Sequence, residues 1–392
     1  MQPDRSPISR DRRPERRSGR RIRAADGWSA MAAAVTLLAS ASATSLPANR
    51  EGKDDEAGAG WSELPSYPQA PGMGGIIAGV DQGVLIAAGG ANFPDRPPWE
   101  GGKKRTYDSI YVLPPGGRAW VPAGQLPEPR AYAGVISIAD GVLAVGGENG
   151  ARIFGDSVLL RWERQQVRCA TVAALPAPVT CPAVALLAGK VYLAGGYAAD
   201  GSRTSCRNFW CLDLADRAAG WRVLPTWPGP ARGQAVMAAV GDAVYLVSGL
   251  DTTPDKDGRP RSICLTDAYR YRPGHGWEQL PDPPWSAVAA PTPAPVTTVP
   301  QRVFVLGGVD GRLEGKQPRD TRVPDRILCF DVETGRWRTL KGKWPDPVVT
   351  TPSVQVGDDW IFISGEIMAG VRTTHVGAWN LPSAADGKPP AN

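Results

Sequence analysis

A unit of apolar and polar segments recurs six times along this chain. Each unit has a short apolar run that ends in Gly-Gly or Ser-Gly, a polar loop, a second apolar run, and then a Trp followed shortly by Leu-Pro. The pairs that end the first run are spaced roughly 50 to 60 residues apart, at Gly89-Gly90, Gly146-Gly147, Gly195-Gly196, Ser248-Gly249, Gly307-Gly308 and Ser364-Gly365. A fixed period of this size, built from short apolar segments, predicts a radially repeated β-sheet.

Each unit predicts four strands, which we label a to d. Strand a is small and aliphatic, as in 183–187 and 235–240, and suits the crowded axis of a ring. Strand b is a fully apolar run, as in 142–145 and 303–306, and fits a strand packed between neighbouring blades. Strand c follows the polar loop, and strand d opens with a bulky Trp that fills the widening outer gap: Trp120, Trp221, Trp277 or Trp337.

Six such units predict an all-β, six-bladed β-propeller over residues 61–382. Trp61-Ser62-Glu63-Leu64-Pro65 reads as a strand d with no strands before it, while the last unit stops after a strand c at 378–381. We therefore expect the N-terminal strand to complete the last blade and close the ring. Two places fit the pattern poorly: the long polar stretch before Val172, and the prolines at 291, 293 and 295 beside a predicted inner strand.

The ends of the chain differ from the rest in composition. Residues 1–23 carry nine Arg and three acidic residues, and the remaining 35 basic and 36 acidic residues nearly balance. The basic pI therefore does not indicate a nucleic-acid partner. A modest apolar stretch at 28–38, followed by small residues, makes residues 1–43 a predicted targeting segment. The apolar stretch itself is too short to span a bilayer comfortably. We expect export to the periplasm or medium by the general secretory or twin-arginine route, a flexible linker at 44–60 and a disordered tail at 383–392.

Six cysteines are compatible with disulfides in an oxidising compartment. Cys169 with Cys181, or Cys206 with Cys211, are candidate pairs, and buried free thiols are an equal alternative. Their spacings match no metal signature, and a copper oxidase on this fold is disfavoured because the chain has only two His, at 275 and 375.

The recurring aliphatic run, Gly pair, strand and Trp resemble the kelch repeat. Three narrower motifs are similar to the N-acetylneuraminate (sialic acid) mutarotases, also called epimerases, in their cyclically permuted branch. They are Ala88-Gly-Gly-Ala-Asn-Phe93 with Trp99-Glu-Gly-Gly-Lys-Lys104, Pro129-Arg-Ala-Tyr132 with Gly146-Gly-Glu148, and Ile363-Ser-Gly-Glu366 with Gly370-Val-Arg-Thr373. The resemblance implies an isomerase that interconverts the α and β anomers of a small acid sugar by acid–base ring opening. It implies neither a metal nor an organic cofactor.

Candidate site residues follow from the resemblance and from strand direction. Because successive strands run in opposite directions, the d–a and b–c connections emerge on the same face of the propeller. This face therefore gathers carboxylates and cations near the axis. Glu366 is the expected proton carrier and Arg372 the group that holds the substrate carboxylate or the developing oxyanion. The expected substrate-binding residues are Asn92, Lys104, Arg130, Tyr132, Glu148 and Arg232.

Two alternatives stay open at this point. Arg130 and Arg232 occupy equivalent positions in two units, which also fits a structural role between blades. A kelch propeller can also serve as a carbohydrate- or protein-binding module without catalysis, because the fold alone does not decide function. An enzyme needs the ionisable side chain of Glu366, whereas a binding module tolerates its amide.

Overall fold

The computed structural model describes residues 60–199, 203–311 and 321–381, which form a ring of six antiparallel four-stranded blades. From inner to outer strand, blades 1 to 3 are Ile77–Asp81, Val84–Ala88, Ser109–Leu113 and Val121–Gln125; Gly134–Ile138, Gly141–Val145, Asp156–Glu163 and Gln166–Ala174; Ala183–Leu187, Lys190–Ala194, Phe209–Asp213 and Arg222–Val223. Blades 4 to 6 are Val236–Val240, Ala243–Val247, Ala268–Arg272 and Gly276–Leu280; Val296–Thr298, Gln301–Leu306, Ile327–Asp331 and Arg336–Thr339; Ser353–Val356, Asp359–Ile363, Val376–Asn380 and Trp61–Glu63. The predicted six-bladed propeller is confirmed.

The described segments also contain short ribbons and two single-turn helices. The ribbons pair Ala91–Asn92 with Arg105–Thr106, Val179–Thr180 with Tyr197–Ala198, Leu250–Pro254 with Pro260–Cys264, and Glu366–Met368 with Val371–Arg372. The 3-10 helices are Pro98–Glu100 and Arg217–Ala219. None of the described helices has the length and apolar character needed to cross a membrane. The predicted targeting segment (1–43), most of the linker (44–60) and the tail (383–392) lie outside the described residues.

The N-terminal strand closes the ring as predicted. Trp61–Glu63 pairs antiparallel with Val376–Asn380, so the outer strand of blade 6 comes from the start of the propeller. The indole of Trp61 stacks on that of Trp379, with ring centroids 5.2 Å apart and planes within 4°. The joint between the two ends of the propeller is therefore held by a ladder and by aromatic packing.

The hydrophobic core is divided into layers between blades. Six of its clusters each combine residues from two adjacent blades, and one of them joins blade 6 to blade 1. Each strand b packs against a neighbouring blade on both of its faces. The side chains of its apolar run are therefore buried, and apolar residues do not alternate with polar ones along it. Burial of these runs, rather than a single central core, stabilises the ring.

The Trp and Leu-Pro elements of the repeat join neighbouring blades at three junctions. The indole N–H of Trp277 in blade 4 donates to the carbonyl of Pro225, at the end of blade 3, at 2.9 Å. Equivalent bonds run from Trp337 to Pro281 at 2.8 Å and from Trp120 to Pro65 at 2.7 Å. In these three blades the periodic Trp therefore satisfies a carbonyl of the preceding blade, whereas the indole N–H of Trp221 in blade 3 donates to the Ser157 hydroxyl of blade 2 at 3.2 Å.

Six backbone hydrogen bonds form a closed ring around the axis. One residue of each d–a connection has φ between 52° and 63°, and its N–H donates to the carbonyl of the equivalent residue in the preceding blade at 2.6–3.1 Å. We call these residues the axial ring: Gly75, Tyr132, Cys181, Gln234, Ala289 and Thr350. Five of them are not glycine, so the fold holds side chains in a sparsely populated conformation at its centre.

The two poorly fitting regions have structural explanations. In blade 2 the polar stretch forms an outer strand, Gln166–Ala174, and Trp162 lies inside strand c rather than after it. Arg164 and Gln165 both have positive φ, which is the geometry of a two-residue hairpin turn that matches strand twist. In blade 5 strand a is only three residues long, Val296–Thr298, because the preceding prolines cannot donate to the ladder.

Candidate functional site

The residue that follows each Gly-Gly or Ser-Gly pair at the end of strand b lies next to the axial ring. Glu148 pairs with Ala131 and Glu366 pairs with Val349, each one residue before a member of the axial ring. The d–a and b–c connections therefore meet on one face, as the alternation of strand direction predicts. Glu148 and Glu366 occupy equivalent positions in blades 2 and 6.

Glu366 and Arg372 form a buried ion pair at this face. They lie opposite each other in the short ribbon of blade 6, with Glu366 Oε2 and Arg372 Nη1 3.3 Å apart and both side chains fully buried. Thr350 Oγ1 donates to Glu366 Oε1 at 2.9 Å, and the Gly370 N–H donates to Oε2 at 3.2 Å. Gly370 has φ +78°, and a Cβ there would lie 2.5 Å from Pro98, so the turn that places this N–H needs glycine.

Arg372 also connects blade 6 to blade 2. Its Nη2 donates to the hydroxyl of Tyr132 at 3.3 Å, and its guanidinium carbon lies 5.0 Å from the ring centre of Phe93. A cation over an aromatic face is attracted by the ring quadrupole. The guanidinium is thus held between a carboxylate, a phenol and an aromatic ring that come from three different blades.

A second ion pair lies beside the ring of Tyr132. Lys104 Nζ is 3.0 Å from Glu148 Oε1 and 5.1 Å from the centre of the Tyr132 ring. Burial lowers the pKa of Lys104, but the neighbouring Tyr132 and Glu148 raise it more, so the pKa is held above its ordinary value of 10.5. Lys104 is therefore a permanent cation at neutral pH. We call the five side chains joined in this way the axial cluster: Lys104, Tyr132, Glu148, Glu366 and Arg372.

A cavity of about 60 Å³ lies on the axis beside the axial cluster. Tyr132 and Thr350, which both contact the Glu366–Arg372 pair, line it together with Cys181 and Gln234. Burial raises the pKa of the Cys181 thiol to about 12, so this thiol is protonated and weakly nucleophilic. Of the axial cluster, Tyr132 lines the cavity, and Thr350 connects the cavity wall to Glu366.

The other three predicted binding residues have internal partners. The amide of Asn92 is fully buried, donating to the carbonyl of Gly72 at 3.0 Å and accepting from the Tyr107 hydroxyl at 2.9 Å. Arg130 and Arg232 each make a two-pronged ion pair with an aspartate at the start of strand c, as described next. None of the three contacts the axial cluster.

The two arginines are equivalent in structure as well as in sequence. Arg130 Nη2 is 2.9 and 3.1 Å from the carboxylate oxygens of Asp156, and Arg232 is 2.8 and 2.7 Å from those of Asp267. Each also donates to the carbonyl that ends strand b, at Gly146 or Ser248. This geometry supports the structural alternative, in which the arginine joins the d–a connection to its own blade.

The sequence motifs did not single out two residues that act on the cluster. Thr350 has no motif around it, and its contact with Glu366 follows only from its place in the axial ring. Arg203 lies in the b–c connection of blade 3, half-buried, and is close enough that its charge acts on Lys104, Cys181 and Tyr197. A search of every b–c connection for basic residues would have found Arg203.

Neither candidate disulfide is present. Cys169, Cys181 and Cys211 are free thiols. Cys169 lies in the outermost strand of blade 2 and Cys181 lies on the axis, so the blade separates them.

Among the described residues, Glu63, Asp346 and His375 could hold a metal ion, with ligand atoms within 4.8 Å of one another. Both carboxylates are exposed and the group lies at the joint of the ring, apart from the axial cluster.

These features define a kelch-type six-bladed β-propeller with a buried acid–base cluster at one end of its axis. Residues 172–316 match the family model described as N-acetylneuraminate epimerase. The chain is 28% identical over 232 residues to the N-acetylneuraminate epimerase of Haemophilus influenzae, which covers 52% of this chain and 58% of that protein. It is 28% identical over 214 residues to the enzyme of the same name from Brucella melitensis, covering 46% and 53%.

The resemblance read from the sequence motifs is therefore confirmed as a similarity to the N-acetylneuraminate epimerases. A shorter match, 35% identical over 100 residues, is made to the protein of that name from Salmonella enteritidis, covering 22% of this chain and 26% of that protein. The chain spans about half the length of the curated relatives it matches. The family-model match ends at residue 316 and does not include Glu366 or Arg372. The permuted order of the blades stays a prediction.

Proposed function

We propose that this protein is a mutarotase that equilibrates the α and β anomers of N-acetylneuraminate or a related acid sugar. The relatives named N-acetylneuraminate epimerase support the substrate class. The axial cluster supports the chemistry, because it combines two carboxylates with two cations beside a cavity on the propeller axis.

The proposed reaction opens and recloses the sugar ring. Glu366 removes the proton of the anomeric hydroxyl while an acid protonates the ring oxygen, and the bond between the anomeric carbon and the ring oxygen breaks. The hydroxyl so formed then attacks the new carbonyl on its other face. Arg372 binds the sugar carboxylate or the oxyanion that develops at the ring oxygen, and Lys104 adds positive field. Arg203 is a further cation positioned to attract an anionic sugar.

The observation that carries this proposal is the fully buried Glu366–Arg372 pair in the short ribbon of blade 6. A buried ion pair is a weak source of stability, because the cost of removing both charges from water offsets their attraction. A charged pair placed at the axis, in contact with cavity-lining Tyr132 and Thr350, is better explained by a role in recognition or proton transfer.

The test is the NMR rate of anomer conversion of freshly released N-acetylneuraminate. We expect wild-type protein to accelerate it and Glu366→Gln to lose roughly 10²-fold or more of the acceleration, the size of a general-base contribution. Glu333→Gln, at an exposed turn of blade 5, is the matched control and keeps the wild-type rate. Acceleration that survives Glu366→Gln would move the base to another residue, with Glu148 the first to examine.

The alternative is a propeller that binds an acid sugar without catalysis. One observation favours it: the Glu366 oxygens already accept hydrogen bonds from Thr350 and Gly370, form an ion pair with Arg372, and are fully buried, as in a structural carboxylate. In that case the sugar signals shift saturably on adding protein, the anomers interconvert at the spontaneous rate, and Glu366→Gln changes affinity only modestly.

We also propose that the protein is exported, on the basis of the basic and apolar pattern in residues 1–43. Expression of the full chain in a Gram-negative host, followed by fractionation and N-terminal sequencing, tests this. A cytoplasmic protein that keeps its Arg-rich start would contradict it.

A further inference from the structure

Mutarotation requires two proton transfers at different oxygens. The anomeric hydroxyl loses a proton while the ring oxygen gains one, so a base and an acid act on opposite sides of the breaking bond. Glu366 accounts for the base in the proposed reaction. The axial cluster has to supply the acid, unless water does.

Tyr132 has the position that this acid needs. Its side chain is buried and lines the axial cavity together with Thr350, and these two residues contact Arg372 and Glu366 respectively. Its hydroxyl accepts a hydrogen bond from Arg372 Nη2 at 3.3 Å, and within the described segments the phenolic proton has no hydrogen-bond acceptor. That proton is therefore available to a ligand in the cavity.

The other members of the axial ring are less suited to the task. Gly75 and Ala289 have no polar side chain, and the Gln234 amide is not an acid at any accessible pH. The Thr350 hydroxyl donates its proton to Glu366 at 2.9 Å. Cys181 carries a thiol but does not contact Arg372, which touches Tyr132 in the axial ring.

The surroundings of Tyr132 suit a group that gives up a proton and takes it back. Burial raises the pKa of the phenol, while the nearby charges of Lys104 and Arg372 lower it, and the net pKa lies above its ordinary value of 10.0. The resting group is therefore a neutral phenol at neutral pH. When it loses its proton, the tyrosinate lies next to two cations, with Lys104 5.1 Å from the ring centre.

We propose that Tyr132 is the second proton-transfer group of the site, donating to the ring oxygen of the sugar while Glu366 accepts from the anomeric hydroxyl. As the bond between the anomeric carbon and the ring oxygen breaks, its electron pair passes to the ring oxygen, which takes the Tyr132 proton. The products are the open-chain keto sugar, protonated Glu366 and a tyrosinate. Reclosure on either face returns both protons. This inference rests on the proposed function.

The experiment compares Tyr132→Phe with wild type in the NMR anomer assay, together with the dissociation constant of the sugar. We expect kcat to fall roughly 10²-fold or more, while the dissociation constant stays within about threefold. Tyr245→Phe removes a phenol from strand b of blade 4, where the ring packs near Phe330, and keeps the wild-type rate. A melting curve of each variant shows that the fold is retained.

The outcomes separate the two proposals. Wild-type protein without acceleration overturns the proposed function and this inference with it. An active wild type whose kcat survives Tyr132→Phe overturns this inference alone, as does a variant that loses affinity but keeps kcat. If Tyr132→Phe does not fold, a fluorinated tyrosine at 132, with a more acidic phenol, replaces it: the alkaline limb of kcat then moves to lower pH, and an unmoved limb overturns the proposal.

Discussion

Replacing Arg232 tests whether the ion pair that both equivalent arginines make with an aspartate stabilises the fold and does not bind substrate. Arg232 is fully buried, with its guanidinium 5.3 Å from the rings of both Trp227 and Tyr269. It makes two bonds to Asp267, whose side chain is 16% exposed, and one to the carbonyl of Ser248. Arg232→Leu removes the cation and leaves a largely buried carboxylate without its partner.

The expected loss follows from that stranded charge. Breaking a buried ion pair by removing one partner typically costs about 3–5 kcal/mol. Unfolding entropy near 2.1 cal/mol/K per residue, summed over a propeller of this size, converts that loss into a melting temperature lower by roughly 5–8 °C. Arg232→Leu combined with Asp267→Asn removes both charges, so we expect the double variant to recover about half of the loss or more.

The assay is urea unfolding followed by tryptophan fluorescence, with the sugar dissociation constant measured on the same samples. We expect Arg232→Leu to reduce the free energy of unfolding while the folded fraction binds sugar as the wild type does. Arg259→Leu, at an exposed loop position, is the control and leaves both quantities unchanged. Unchanged stability together with lost sugar binding would refute this reasoning and return Arg232 to the substrate site.

Two further predictions concern the ring and its cluster. Trp277→Phe keeps an aromatic ring but removes part of the indole packing and the N–H that donates to Pro225, so we expect a loss of at least about 1 kcal/mol in urea unfolding. No loss would show that the bond between blades contributes nothing net. Although burial lowers the pKa of Lys104, Tyr132 and Glu148 hold it above 10.5, so its stabilising contribution is fully present below about pH 10.5 and is lost as the pH rises through the folded value. Lys104→Met should therefore flatten the alkaline fall in unfolding free energy, and an unaltered pH dependence would contradict this.

The sequence predicts the blades well, because the information that defines them is local. The aliphatic runs and the Gly pairs mark strand b and its exit in every unit, and the described strands b extend those runs by only one or two residues at an end. The unmatched Trp61 predicts the closing strand, since an isolated outer strand has to find the one blade that lacks it. Blade 2 was harder, because its outer hairpin is polar on the exposed side and has no leading Trp.

The site was predicted in part, and the reason lies in how the ring closes. Glu366 and Arg372 are neighbours in one ribbon, so their spacing in the sequence is enough to place them together. Arg130 and Arg232 were expected to bind substrate, and their internal partners could not be predicted from spacing, although Asp156 and Asp267 do stand at equivalent points at the start of strand c.

The sequence by itself determined the repeat, the number of blades and the face on which the polar connections gather. Those follow from periodicity and from the alternation of strand direction, which act over tens of residues. Only the tertiary structure decided which polar residues of different blades meet, because closing the ring brings blades 6, 1 and 2 together. Arg372 contacts Tyr132, which lies 240 residues away in the sequence, and no local sequence pattern can predict a contact over that separation.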